Sequence, residues 1–325
     1  MTSSQTRFAR FAWGVVAYNV FVILWGAFVR ASGSGAGCGS HWPLCNGTVI
    51  PRAEYMETLI EFGHRVTSGL DGLIVLGMVV WAFRAWPKRH IVRRAAAVSF
   101  IFILIEGLIG RQLVVSELVA YNDSAERASW IAIHLVNTFL LVAALTLTAW
   151  WAGGGERLLL RSAGALSWLL GVGFFGMLLI GASGAITALG DTLFPAESLQ
   201  AGIAQDFSPT AHFLIRLRVW HPLVAVAVGV YTVAAGRVVS KLRPGPTTKR
   251  LFWALTALFA LQMVVGVVNV WLLAPVWMQL VHLLLADLVW IAFVLLAAAG
   301  LGQAAPEREA ARLEGWKVGR LESWR

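Results

Sequence analysis

Apolar runs of about 20 residues alternate along the chain with short polar stretches. Eight can be marked, at roughly 11–29, 63–83, 95–115, 129–151, 165–188, 214–236, 251–272 and 279–300. A helix rises about 1.5 Å per residue, so each run can cross a hydrocarbon layer about 30 Å thick. The pattern predicts an all-α integral membrane protein with eight transmembrane helices. The opening residues, MTSSQTRFAR, lead directly into a run long enough to span, so no cleavable leader is expected. Connections at 84–94, 152–164 and 237–250 are short and basic, broken by Pro87, Gly153-Gly154-Gly155 and Pro244-Gly245-Pro246. Those at 30–61 and 189–213 are longer and polar, and 116–127 is acidic. Loops that long in a compact frame tend to be functional or disordered. The tail after Gln303 mixes charges without an apolar run, which suits a surface helix or disorder.

The runs fall into two sets of four. Gly26-Ala27 at the end of the first returns as Gly181-Ala182 at the end of the fifth, 155 residues later. Glu106-x-x-x-Gly110 in the third returns as Gln262-x-x-x-Gly266 in the seventh, after 156 residues. His64 and His221 open the second and sixth runs, 157 residues apart, and His134 and His282 lie early in the fourth and eighth, 148 apart. Landmarks in one order at nearly one spacing predict two pseudo-symmetric four-helix bundles. With an even number of crossings each, the halves share an orientation and an axis along the membrane normal.

Composition and charge sharpen the class. With 58% hydrophobic and 13% charged residues and a mean hydropathy of +0.72, a soluble globule is excluded. The 16 tryptophans suit interfacial anchoring. A net charge of +9 could suggest nucleic acid, but the placement of the charges argues against it. Of the 26 Lys and Arg, all but Arg30, Arg52, Arg65, Arg111, Arg127, Arg216 and Arg218 lie at the N-terminus, in the even-numbered connections or in the tail. That bias predicts a multi-pass cell-membrane protein with both termini cytoplasmic and no nucleic-acid partner. Cys38 and Cys45 then lie outside, where a disulfide can persist.

Four of the seven histidines, His64, His134, His221 and His282, are placed at the outer ends of even-numbered helices. Two imidazoles at one depth on neighbouring helices are what axial ligation of a heme iron requires. The plainer reading is helix-to-helix hydrogen bonding. Zinc usually takes three or four donors, and each half offers two histidines with no third in register. Small residues at Gly26, Ala27, Gly69, Gly110, Gly181, Ala182 and Gly266 would make room for a flat macrocycle, or serve ordinary close packing.

The halves differ around these histidines. Glu61 stands three residues before His64 and on its helix face, whereas Arg218 holds that place before His221. A carboxylate there can move protons at a reacting group, or simply cap the helix start. The pair Cys38 and Cys45 suits a structural disulfide closing a Gly-rich loop, with a redox-active disulfide as the alternative. Asp71, Glu106 and Asp287 are charges within spans, where they are costly and often functional. Asp71 could continue a proton path from His64, or only pair with a neighbouring helix. The outer arginines suit bidentate contacts with heme propionates.

The run VRASGSGAGCGSHWPLCNG, then EFGHR, with later outer-end histidines in both halves, resembles the heme A synthase family over nearly all of 1–300. The resemblance implies an oxidoreductase that converts the C8 methyl of heme O to a formyl group, giving heme A for cytochrome oxidase. It implies His64 and His134 as ligands of the substrate heme within 1–152, and His221 and His282 as ligands of a heme B cofactor within 153–301. Residues 302–325 would be a cytoplasmic tail. Glu61 would be the catalytic acid, and Cys38 and Cys45 the loop disulfide of some members. Partners would be heme O, membrane lipid, heme O synthase, and a quinone or other electron acceptor. One departure is Pro222, which follows His221 where Arg65 follows His64. A bis-histidine cytochrome b working from quinol, or a heme-handling transporter, are the alternative classes.

Overall fold

A computed structural model describes residues 3–52, 55–159 and 163–303. The chain forms α1 (Ser3–Ala31), α2 (Met56–Ala85), α3 (Ile91–Val115), α4 (Ala125–Ala152), α5 (Ala165–Leu193), a short α6 (Leu199–Asp206), α7 (Phe213–Arg218), α8 (Trp220–Leu242), α9 (Pro246–Trp271) and α10 (Val276–Leu301). With α7 and α8 taken as one span, eight helices among the described residues are long and apolar enough to cross a membrane, as the apolar runs predict. This is an all-α, multi-pass membrane protein.

Helix starts follow the local sequence. Ser124 caps α4 by accepting the Arg127 N–H at 3.2 Å, and Pro246 opens α9, where a missing N–H costs nothing. Pro222 has no N–H to offer the carbonyl of Arg218, and the sixth span breaks between α7 and α8 at Val219. The polar stretch 189–213 is more ordered than its composition suggests. The helix α5 runs on to Leu193, and Ser198 caps α6 through the Ala201 N–H.

Two main cores share α4. One joins Leu141, Leu145 and Ala149 to α1, α2 and α3; the other joins Phe139, Val142 and Ala143 to α5, α8, α9 and α10. The fully buried Trp290 of α10 donates its indole N–H to the Phe139 carbonyl at 2.7 Å and stacks on that ring. At one end of the bundle, β1 (Arg157–Leu158) in the α4–α5 connection pairs with β2 (Gly302–Gln303), which follows α10. Two-residue strands leave no alternating pattern, and the sequence marks this connection only as a basic link. The tail beyond Gln303 lies outside the described residues.

At the opposite end, Arg30 joins the two sets of helices. Its guanidinium donates to the Ala188 carbonyl at 2.6 Å, to Thr192 Oγ1 at 2.7 Å and to Gln279 Oε1 at 2.9 Å.

Candidate functional site

All four spotlighted histidines lie toward the end of the bundle that carries the α1–α2 loop. The rings of His221 on α8 and His282 on α10 are 6.5 Å apart between centroids, with planes at 79°. His64 on α2 lies within electrostatic range of His134 on α4 and of Glu106 on α3. Each ring also has its own polar neighbour. Ser68 Oγ is 3.5 Å from His64 Nδ1, and Ser183 Oγ is 3.0 Å from His221 Nδ1. Glu106 Oε1 is 3.1 Å from His134 Nε2, and Gln262 Nε2 is 3.3 Å from His282 Nε2.

Three of the rings rest on helix backbone at a glycine, where a Cβ would be a tight fit. A Cβ at Gly26 would come within 3.0 Å of the His64 ring, at Gly184 within 3.0 Å of His221, and at Gly266 within 3.1 Å of His282. The small residues read from the sequence divide accordingly. Gly26 and Gly266 face histidines, but Gly181 faces the Phe139 ring, and Gly69 and Gly110 have open space around the Cβ position. The glycine against His221 is Gly184, one turn further on. The pair Gly184-Ala185 matches Gly26-Ala27 as well as Gly181-Ala182 does, 158 residues on instead of 155, and it is the pair that meets the histidine.

These side chains fit a porphyrin iron better than an isolated metal ion. Imidazole nitrogens bind metals at about 2 Å, so one atom held between two rings implies a centroid separation close to that of His221 and His282. His282 Nδ1 is buried without a hydrogen-bond partner. Among the described residues no group of three or more His, Cys, Asp or Glu could hold a metal, so a zinc-type donor set is absent there. Serine and carboxylate neighbours on the second ring nitrogen would fix ring orientation.

The α1–α2 loop is fastened to the first turns of α2, at Thr58, Glu61 and Arg65. Cys38 and Cys45 are disulfide-bonded and buried, and a small hairpin follows, with Cys45 N–H to Thr48 O at 2.9 Å and the reverse bond at 3.0 Å. Gly37 touches the start of α2 so closely that a Cβ would lie 2.4 Å from the Glu57 carbonyl, and Thr58 donates to the Gly37 carbonyl at 2.7 Å. The buried carboxylate of Glu61 accepts the Cys38 N–H at 2.8 Å and the Arg65 guanidinium at 2.5 Å and 3.1 Å. Arg65 also donates to the carbonyls of His41 and Leu44, both at 2.6 Å. Glu61 is thus a buried anchor and not a solvated acid. In the other half Arg218 donates to Asp206 and, at 3.2 Å, to Asp191.

The remaining sequence candidates are also placed. Asp71 accepts from Asn19 on α1 at 2.6 Å, a helix-to-helix pairing. Glu106 accepts from Asn137 at 2.5 Å and from Thr138, besides facing His134. Asp287 is fully buried, and neither oxygen has a hydrogen-bond partner among the described residues. Of the outer arginines, Arg30, Arg65, Arg127 and Arg218 are committed to loop carbonyls, amides and carboxylates; Arg52, Arg111 and Arg216 are exposed. Ser68, Ser183, Asn137 and Thr138 escape the sequence reading, since single hydroxyls and amides within apolar runs carry no pattern. Ser68, Asn137 and Thr138 did have a cue, each standing one turn after His64 or His134 on the same face.

Known proteins give this geometry a context. Two Thermus thermophilus proteins, both called protoheme IX farnesyltransferase, are 52% identical over 313 residues. That is 96% of this chain but 51% of theirs, so the chain spans about half their length. Heme A synthases are similar over shorter stretches. The one from an Exiguobacterium species is 39% identical over 109 residues, 34% of this chain and 36% of its own. That of Geobacillus kaustophilus is 43% identical over 105 residues, 32% and 33% of the two chains. Residues 9–294 match the family described as cytochrome oxidase assembly protein (COX15-CtaA), a span that takes in all four histidines, the disulfide loop and Glu61, and the chain belongs to that family.

Proposed function

We propose that the protein is a heme A synthase, an oxidoreductase that converts the C8 methyl of heme O to the formyl group of heme A for cytochrome oxidase. The observation that carries this reading is the facing pair of His221 and His282 rings with His64 and His134 at the matching places of the other half, three of the four rings resting on a helix glycine and Glu61 buried one turn before His64. Family membership supports it.

In this reading residues 1–152 form the substrate half. His64 and His134 hold heme O and orient its ring edge, while the disulfide loop excludes water above it. Glu61 handles the protons released as the methyl carbon loses hydrogen. Its carboxylate lies one turn before His64, fixed by the Cys38 N–H and Arg65. Residues 153–301 form the second half, where His221 and His282 hold heme B. Bound there, heme B supplies one-electron redox chemistry. Two four-helix halves related by pseudo-symmetry, with both termini cytoplasmic and the histidines toward the outer face of the cell membrane, complete the proposal.

The farnesyltransferase name of the Thermus relatives belongs to proteins about twice the length matched, and we assign that activity to the portion outside the match. The name points to a prenyl-transfer enzyme as the supplier of heme O. Electrons leave to a quinone or a similar acceptor. Pigments extracted from the purified protein and separated by chromatography test the proposal. Heme B together with heme O or heme A is expected. Heme B alone would instead identify an electron-transferring cytochrome, and no heme a transporter.

A further inference from the structure

We propose that Asp71 is a positioning residue: it carries its proton, pairs with Asn19 through two hydrogen bonds, and so sets the register of α2 against α1 that seats the His64 ring on Gly26. The weight of that seat for the reaction rests on the reading of His64 as a heme ligand.

Contacts between these two antiparallel helices come in two matching layers. In one, Tyr18 donates to the Thr67 carbonyl at 3.2 Å and Asn19 donates to Asp71 Oδ2 at 2.6 Å. In the other, Trp25 donates to the Ile60 carbonyl at 3.1 Å, and a Cβ at Gly26 would come within 3.0 Å of the His64 ring. Every partner in the second layer stands seven residues from its counterpart in the first, on both helices. Seven residues are two turns and return to nearly the same face, so one register serves both layers. Asn19 and Asp71 are buried, and sliding α2 along α1 would part them. Buried polar groups left unpaired are costly, which is how one polar pair can fix a helix register. Gly14, Gly69, Gly72 and Gly77 have open space around the Cβ position, so no close glycine contact does that work instead.

The pair also shows where a proton belongs. Asn19 Oδ1 and Asp71 Oδ1 are both buried without a donor. A proton on Asp71 Oδ1, given to Asn19 Oδ1, satisfies both atoms and closes a ring of two hydrogen bonds. The titratable groups facing Asp71 are Tyr18 on α1 and Glu106 on α3. Glu106 has donors on both oxygens, Asn137 at 2.5 Å and Thr138, whereas Asp71 has one. Neighbouring buried carboxyls resist ionising together, and the donors assign the charge to Glu106 and the proton to Asp71. The other half fixes this level by shape. Val228 follows Asp71 by 157 residues, as His221 follows His64, and a Cβ at Gly176 would lie 2.7 Å from its side chain.

The test combines infrared spectroscopy of the full-length protein in detergent with its thermal unfolding and the low-spin EPR signals of the hemes it carries. Wild type minus Asp71→Asn should show the carbonyl stretch of a protonated carboxylic acid, and its absence overturns the inference. Asp71→Asn keeps both hydrogen bonds, and Asn19→Asp with Asp71→Asn rebuilds the pair in reverse. Both should retain the unfolding midpoint and the EPR signals. Asp71→Leu should lower the midpoint and shift one low-spin signal, that of the heme held by His64, leaving the other in place. If Asp71→Leu folds and moves neither signal, the inference is wrong although the ligand reading survives. If Asp71→Leu does not fold, the reversed pair decides, and a lowered midpoint or a shifted signal there overturns the inference. Wild-type protein that binds no heme removes the ligand reading, and the infrared band and the midpoint of the reversed pair then decide the register by themselves.

Discussion

The helices that carry His64 and His221 place their histidines alike and surround them with opposite charge. On α2 the acid Glu61 precedes the histidine, and a guanidinium, Arg65, follows it. Before α8 the residue in the place of Glu61 is Arg218, the last of α7, which reaches out to Asp191 and Asp206, and Pro222 follows the histidine. In the second case ion pairs tie the histidine's span to the segments before it; in the first the Glu61–Arg65 pair lies within α2, and its hydrogen bonds to Cys38, His41 and Leu44 hold the loop. Only the first arrangement leaves a carboxylate on the histidine's own helix face. The difference teaches that a shared scaffold can keep its histidine positions while changing which charge stands one turn before them.

The most forceful way to break the comparison is to remove one histidine from each half. His64→Ala and His221→Ala should each lower heme content from two to one per chain, read as pyridine hemochrome against protein. If either variant loses both hemes, the halves do not load independently and the comparison fails.

Next in size is the exchange of anchors. Glu61→Gln keeps the side-chain shape and the Cys38 contact, so heme should be retained while turnover of heme O falls by about 10²–10⁴-fold, the usual weight of an acid–base group. Arg218→Gln leaves Asp191 and Asp206 without their cation. It should cost stability by about 1–3 kcal/mol and leave the chemical step intact. Equal losses of turnover in the two variants would mean that Glu61 only fastens the loop.

Much of this contrast was legible in the chain itself. Span-length apolar runs need no partner to be recognised, because hydrocarbon thickness sets their length. The histidines and the Glu61-to-Arg218 inversion are visible because they recur at a fixed separation. Contacts between distant segments were not legible. The cross-bundle grip of Arg30 joins residues 158 to 249 positions apart. The Gly184 seat of His221 depends on which face of α5 turns inward, and an apolar run surrounded by lipid does not encode that facing. The burial of Glu61 came from the loop folding back, and in sequence the residue reads equally well as a helix-start acid.

A smaller effect separates the two loops. Replacing Cys38 and Cys45 together by serine releases a short covalent ring and places hydroxyls where both sulfurs are buried. The expected cost is about 2 kcal/mol, seen as a lower midpoint of thermal unfolding. Loss of the Glu61 tether should accompany it, so that Arg65 becomes accessible to a guanidinium-modifying reagent while Arg218 does not.

The smallest contrast lies at the opposite end of the bundle, where α3 and α9 begin differently. His90 caps α3, its Nδ1 accepting the Val92 N–H at 3.3 Å, whereas α9 starts with Pro246 behind Gly245 and has no side-chain cap. Burial, and then the nearby Arg157 guanidinium, hold His90 below the ordinary histidine range. A base whose folded pKa is depressed favours the folded state when neutral. Its contribution is complete above the unfolded value of about 6.5 and is lost as pH falls from there through the folded pKa. Protonation also removes the lone pair that receives the Val92 N–H, so the cap and the titration act in one direction. Amide exchange at Val92 and Arg93, corrected for its intrinsic pH dependence, should therefore lose protection as the pH is lowered from 7 toward 5, with no matching change at the start of α9. Loss of protection at both helix starts would show that the bundle end opens as a whole, and His90 would then have no separate part in it.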